Sequence, residues 1–144
     1  MVLARVILCA LGAAALQLPA RSAHAEDLPA FRAGMWEFVR NVEGGPGGKP
    51  QILTATRCTN PGEDMKRQHE KLGQLGCKFS PATRGRNVYT FAAQCSMPGK
   101  TQGESKSVIT VESHRAYSLR VETRHGPQST VETLKARRTG DCSK

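Results

Sequence analysis

The side chains that could carry chemistry in this 144-residue chain are its cysteines, histidines and carboxylates. A metal site would gather them at short spacings such as Cys-x-x-Cys. Cys58, Cys77, Cys95 and Cys142 hold no such pair, and the closest two are eighteen residues apart. The haem-attachment pattern Cys-x-x-Cys-His is absent as well. His69 falls on an expected helix, while His114 and His125 fall near expected turns, where solvation explains them better than ligation. A serine nucleophile would call for Gly-x-Ser-x-Gly or a neighbouring base, and a thiol oxidoreductase for a close, exposed cysteine pair. Neither pattern is present. Glu112, Glu122 and Glu132 are candidates for a glycosidase-type carboxylate pair. Each follows a valine, at 111, 121 and 131, so alternation is expected to turn all three outward. Tyr117 with Arg120 and Arg124 is the nearest approach to a single-strand nucleic-acid surface. Tyr117 shares its phase with Leu119 and Val121, which points it inward. The expectation is a non-enzyme with no cofactor, no metal and no nucleic-acid partner.

The elements that must position these residues begin after a leader. Arg5 precedes an apolar run from Val6 to Leu18, and Ala23-His24-Ala25 forms a small-x-small cleavage site. Residues 1–25 thus read as a cleavable signal peptide, and 26–144 as a single exported, periplasmic or secreted, domain. The run is shorter than the roughly 20 apolar residues of a membrane span, and no later segment approaches that length. The leader takes Cys9 with it, and the four remaining cysteines suit two disulfides in an oxidising compartment. The whole chain has 21 Lys and Arg against 12 Asp and Glu; the leader holds Arg5, Arg21 and no acid, so the mature balance is +7. Lys135, Arg137 and Arg138 are the one cluster, a candidate contact for an anionic surface. Elsewhere the charge is scattered, as a solubilising charge would be.

From Trp36 the hydrophobic period is two. Trp36, Phe38 and Val42 alternate with Glu37 and Asn41, the pattern of a half-buried strand. A Gly-rich turn at 44–48 leads into a second strand, Gln51 to Cys58. Asn60, Pro61 and Glu63 form a helix start, which predicts a helix from Pro61 to Leu72 stopped at Gly73. Its apolar stripe is Met65 and Leu72 with His69 between, so it should lie on the sheet surface. Cys77–Pro81, Asn87–Cys95, Glu104–Ser113, Ala116–Arg124 and Ser129–Arg138 then alternate as a meander. The fold class expected is mainly β: a curled antiparallel sheet or half-barrel of about seven strands, one short surface helix and two disulfides.

Several marks recur in order along the chain: Gly34-Met35-Trp36-Glu37, Cys58, Gly76-Cys77-Lys78, Cys95 and the ending Arg137-Arg138-Thr139-Gly140-Asp141-Cys142. This set resembles the exported bacterial proteins grouped as domain of unknown function 3617. A Gly-rich loop stands here where many members carry a Met- and Pro-rich one. The resemblance implies location and disulfide content, and no activity or catalytic residue.

Four cysteines allow three pairings. Folding about Arg86 sets Cys77 opposite Cys95, and pairing the first strand antiparallel to the last, in a closed topology, brings Cys58 and Cys142 to one rim. The rival pairing, Cys58–Cys77 with Cys95–Cys142, fits an open sheet with different neighbours. For function, two classes lead. One is a binding module whose curled sheet takes a small or lipid-like ligand on Trp36, Phe38, Phe91, Tyr117, Leu119 and Val121, if these line a hollow rather than fill a core. The other is an envelope protein meeting anionic lipid or a partner through Lys135, Arg137 and Arg138. The leader makes its own prediction. Edman sequencing of the exported protein should begin at Glu26; retention of Arg21 or acylation at Cys9 would contradict the soluble, cleaved form.

Overall fold

The computed structural model describes residues 28–45, 47–96 and 102–143; the expected leader and cleavage site, residues 1–25, lie outside the described residues. Eight strands and one helix follow in the order β1 (Gly34–Glu43), β2 (Gln51–Thr59), α1 (Pro61–Gln74), β3 (Cys77–Phe79), β4 (Thr83–Arg84), β5 (Val88–Cys95), β6 (Gly103–Ser113), β7 (Ala116–His125) and β8 (Gln128–Gly140). All pairings are antiparallel, in the order β2-β1-β8-β7-β6-β5-β3, with β4 also on β5. The seven expected strands are present, and the two-residue β4 is an addition. First and last strands pair, as expected. The sheet nevertheless stays open: β2 forms one edge and β3 with β4 the other, so the closed topology is corrected.

Alternation divides the sheet into two faces. On the inner face Trp36 and Phe38 of β1 stand in register with Arg138 and Ala136 of β8. Ala136 and Leu134 continue to Tyr117 and Leu119, then to Val111 and Ile109, and Ile109 to Tyr89. The core forms on this face. Trp36 is fully buried, its ring 5.8 Å from Phe31 and 5.9 Å from Tyr117, and its indole Nε1 donates to the Arg32 carbonyl at 3.0 Å. Phe31 packs on Tyr117 at 4.5 Å, so the segment before β1 folds over one end of the inner face as a plug. Burial there pushes the Tyr117 phenol up to about 12, with the Asp64 carboxylate adding to the rise and Arg57 opposing it.

The helix lies across the same face. The Asn60 side chain accepts from Gly62 N at 3.1 Å, Pro61 fills the first helical position and is buried, and the Thr59 hydroxyl donates to Asp64. The helix passes the expected stop at Gly73, and the left-handed turn falls at Gly76 (φ +98°). A Gly73 with ordinary helical neighbours costs only intrinsic propensity, about 1 kcal/mol, and does not by itself end the helix.

The two disulfides are Cys58–Cys142 and Cys77–Cys95, the pairing expected from the turn at Arg86 and from the strand directions. Cys77 and Cys95 stand directly opposite across β3 and β5. The Ser96 amide donates to the Gly76 carbonyl beside them, which makes Cys77–Cys95 a non-hydrogen-bonded pair, the closer of the two antiparallel geometries. Cys58 and Cys142 belong to β2 and the tail of β8, the two neighbours of β1. The tail after Gly140 therefore crosses the start of β1 to reach Cys58, with the Cα atoms 5.5 Å apart. The bridges sit at opposite rims, joined by the helix. Gly34 completes the crossing: at φ +154° it lies against the Arg138 guanidinium and the Gly140 carbonyl, where a Cβ has no room.

The closed loops differ in length, with 84 residues of separation against 18. Chain entropy then predicts that replacing Cys58 and Cys142 with Ala costs about 4–5 kcal/mol, and Cys77 and Cys95 about 3. Urea unfolding of the two double variants should rank them in that order.

Candidate functional site

The inner face is sealed at one end and open at the other. Phe31, Trp36, Phe38, Tyr117 and Ala136 fill the end below the helix N-terminus. Toward the helix C-terminus, α1 stands off the sheet and leaves a groove of about 280 Å³ that opens to solvent. Met65, His69 and Leu72 of α1 form its roof. Its floor is Phe91 and Ala93 of β5, Ser105, Ser107 and Ile109 of β6, and Leu119, Val121 and Thr123 of β7. These positions meet because cross-strand neighbours in the register share a face: Ala93 with Ser105, Phe91 with Ser107, Ser107 with Val121 and Ile109 with Leu119. The mouth is framed by His125, packed on Gly103, and by the Cys77–Cys95 bridge that holds β3 and the helix end in place.

His69 is the groove's most distinctive side chain. Its ring stacks on Phe79 at 4.2 Å and meets the edge of Phe91 at 4.8 Å. Burial among these rings lowers its pKa below the usual imidazole value. That favours the neutral ring, in which one nitrogen can donate and the other accept a hydrogen bond. Together with the Ser105, Ser107 and Thr123 hydroxyls it gives the apolar groove a few polar points.

The six residues read from alternation as ligand-facing or core divide between the two ends. Phe91, Leu119 and Val121 line the groove, while Trp36, Phe38 and Tyr117 belong to the plugged end; Phe91 is itself buried in the same core cluster, and Leu119 packs against it. Phe38 is further covered by the Arg57 guanidinium, 5.1 Å from its ring centroid. The basic cluster is corrected by the same alternation. Lys135 and Arg137 face outward, and Arg137 pairs with Glu37 at 3.4 Å. Arg138 faces inward and is buried, donating through Nε to the Ala33 carbonyl at 2.9 Å and pairing with Asp141, so it offers nothing to an external surface. That pairing holds the exposed Asp141 carboxyl below its usual range. Glu132 is a second correction. It shares the inner face with Leu134, stands in register with Val121, and binds Arg40 at 2.5 Å; Glu112 and Glu122 face outward as expected. His114 and His125 are exposed. Among the described residues no three His, Cys, Asp or Glu side chains gather at metal-ligating distances.

Other clefts are present among the described residues, and two are larger than the groove. One of about 410 Å³ lies on the outward face below Ser80–Thr83 and is bordered by Glu104, Lys106, Glu122 and Arg124. Another, of about 590 Å³, flanks the far side of α1 between Lys66, Glu70 and Lys78, with His69 and Phe79 as the wall shared with the groove. Several charged side chains rim each of these two, whereas Glu104 is the one carboxylate among the groove's lining residues, whose walls otherwise continue the core.

The span from the Phe31 plug to Cys142 is also the span recognised by a family model: "Protein of unknown function (DUF3617)" matches residues 31–142. The chain belongs to that family. No curated protein and no solved structure matches it. In this DUF3617 chain the matched region contains the plug, both disulfides, the helix and the groove, and none of residues 1–25.

The sequence placed His69 between Met65 and Leu72, at i, i+4 and i+7 on one helical stripe. Its place on that stripe was the signal that it faces the sheet. A histidine with a lowered folded pKa binds its proton more weakly than in the unfolded chain, so acidification favours unfolding. Stability at stake should be fully present above the unfolded pKa of about 6.5 and fall as pH drops toward the lower folded pKa. Urea titrations between pH 8 and pH 5 should show that decline, and His69→Phe should flatten it. An unchanged slope in the variant would remove His69 as its source.

Proposed function

We propose that this DUF3617 protein is a non-catalytic binding module of the bacterial cell envelope that takes a small or lipid-like ligand between α1 and the inner face of the sheet. The observation that carries the reading is the open groove of about 280 Å³ at one end of an otherwise filled core. Its size falls just under the roughly 300–1,000 Å³ range of ligand clefts, and apolar walls with a few convergent polar groups are the usual composition of such sites. One acyl segment or one small ring system suits that space better than a large polar metabolite. His69 and the hydroxyls of Ser105, Ser107 and Thr123 supply hydrogen bonds for a polar end. The two disulfides support an oxidising compartment, consistent with the leader and with export.

The alternative is contact with anionic lipid through the outward face. It draws less support, because Arg137 stands beside a carboxylate and Lys135 lies alone between Val39 and Ser118. Arg137 is paired with Glu37, and Arg120 with Glu122 on the neighbouring strand.

Native mass spectrometry of protein purified from the envelope should show a co-purifying mass below about 1 kDa, the drug-sized class such clefts take. Val121→Trp, which fills the groove from its floor, should abolish that mass and leave the melting temperature within a few degrees of the parent. An apo spectrum for the parent, or a ligand retained by the variant, would contradict the groove as the site.

A further inference from the structure

We propose that β2 is a docking edge that pairs antiparallel with β2 of a second copy of this chain. The two edges of the sheet are built in opposite ways. The β3–β4 edge has strands of three and two residues broken by Pro81, with α1 packed beside β3. Short strands and proline are the usual means of blocking edge-to-edge pairing. The β2 edge has none of them: nine residues, no proline, and a single charge at Arg57. Gln51 through Cys58 are exposed on both faces, with Ile52 at 72% and Leu53 at 51%. β2 thus buries almost nothing in its own core, yet Cys58–Cys142 fixes its end to the far side of β1. A strand ordered by a covalent clip, with its outer row of backbone groups unpaired among the described residues, is pre-organised for strand addition.

A second copy is the occupant that the sequence of β2 fits. Two-fold pairing about Thr54 sets Leu53 against Ala55 of the other copy, Ile52 against Thr56 and Gln51 against Arg57. Both exposed apolar side chains gain cross-strand neighbours, and the single charge meets an amide. A parallel arrangement would instead set the two Arg57 side chains side by side. The pairing is isologous and closes on itself, because the blocked β3–β4 edge cannot extend it. It stands apart from the groove, whose nearest floor strand, β7, is separated from β2 by β1 and β8.

Sedimentation velocity of the mature, disulfide-bonded protein tests this. The parent should show a concentration-dependent dimer. T54K and T54E each place like charges on the two-fold axis and should raise the dissociation constant roughly tenfold or more. Thr54 is exposed, so both variants should keep the parent's circular dichroism, and an equimolar mixture should restore the dimer as a heterodimer. A parent that stays monomeric at hundreds-of-micromolar concentration, even if it takes up a strand from another envelope protein, overturns self-pairing. So does a dimer indifferent to both variants, and failure of the mixture to recover overturns the Thr54-centred register.

Discussion

The pairing of β1 with β8 is the constraint on which the rest of the molecule depends. It joins residues about a hundred positions apart and attaches the N-terminal hairpin to the meander. Trp36 sits at that joint, in register with Arg138, under Phe31 and beside Tyr117. Only with both strands in place does the inner face have a floor wide enough to bury an indole of this size. Non-local pairing of this kind is reached late and at high loop-closure cost. The Cys58–Cys142 bridge ties down the same joint, one strand further out. The buried Arg138, held by the Ala33 carbonyl and Asp141, closes the crossing beneath Gly34.

Much of this was legible in the sequence, because period-two patterning reports a two-faced sheet directly. Trp36 and Phe38 marked the inner face of β1, and Tyr117, Leu119 and Val121 that of β7. Folding about Arg86 led to Cys77–Cys95, and strand directions counted through the meander led to Cys58–Cys142. The errors came from phase and from scale. The Val-Glu pairs at 111, 121 and 131 looked equivalent, yet Val131 faces outward and Glu132 inward, because β8 continues the phase of Ala136 and Leu134 rather than that of β7. Lys135, Arg137 and Arg138 looked like one patch because they are close in sequence, although neighbouring strand residues point to opposite faces. Sheet closure was illegible for another reason: a two-residue β4 and an edge left at β2 depend on which strands remain without partners, and that has no local signature.

The candidate site shows where alternation stops being informative. The same pattern serves a packed core and an apolar hollow, and here it serves both along one face. Which end fills is decided by elements outside the sheet. The lead-in carries Phe31 to one end, and Gly76 sets where the helix lets go of the other. His69 belongs to this second kind of information. On the helix alone it is a polar interruption of a short stripe; against Phe79 and Phe91 it is the roof of the groove.

The central claim is that the inner face is a core at the Phe31 end and a ligand groove at the His125 end. Methyl-resolved NMR, titrating a medium-chain fatty acid into the mature protein, tests it most directly. The expected result is saturable shifts at Leu72, Ile109, Leu119 and Val121, with little change at Leu53, and at Ile52 and Val108 on the outward face. Shifts confined to Ile52, Leu53 and Val108, or no saturable shifts at all, would contradict it.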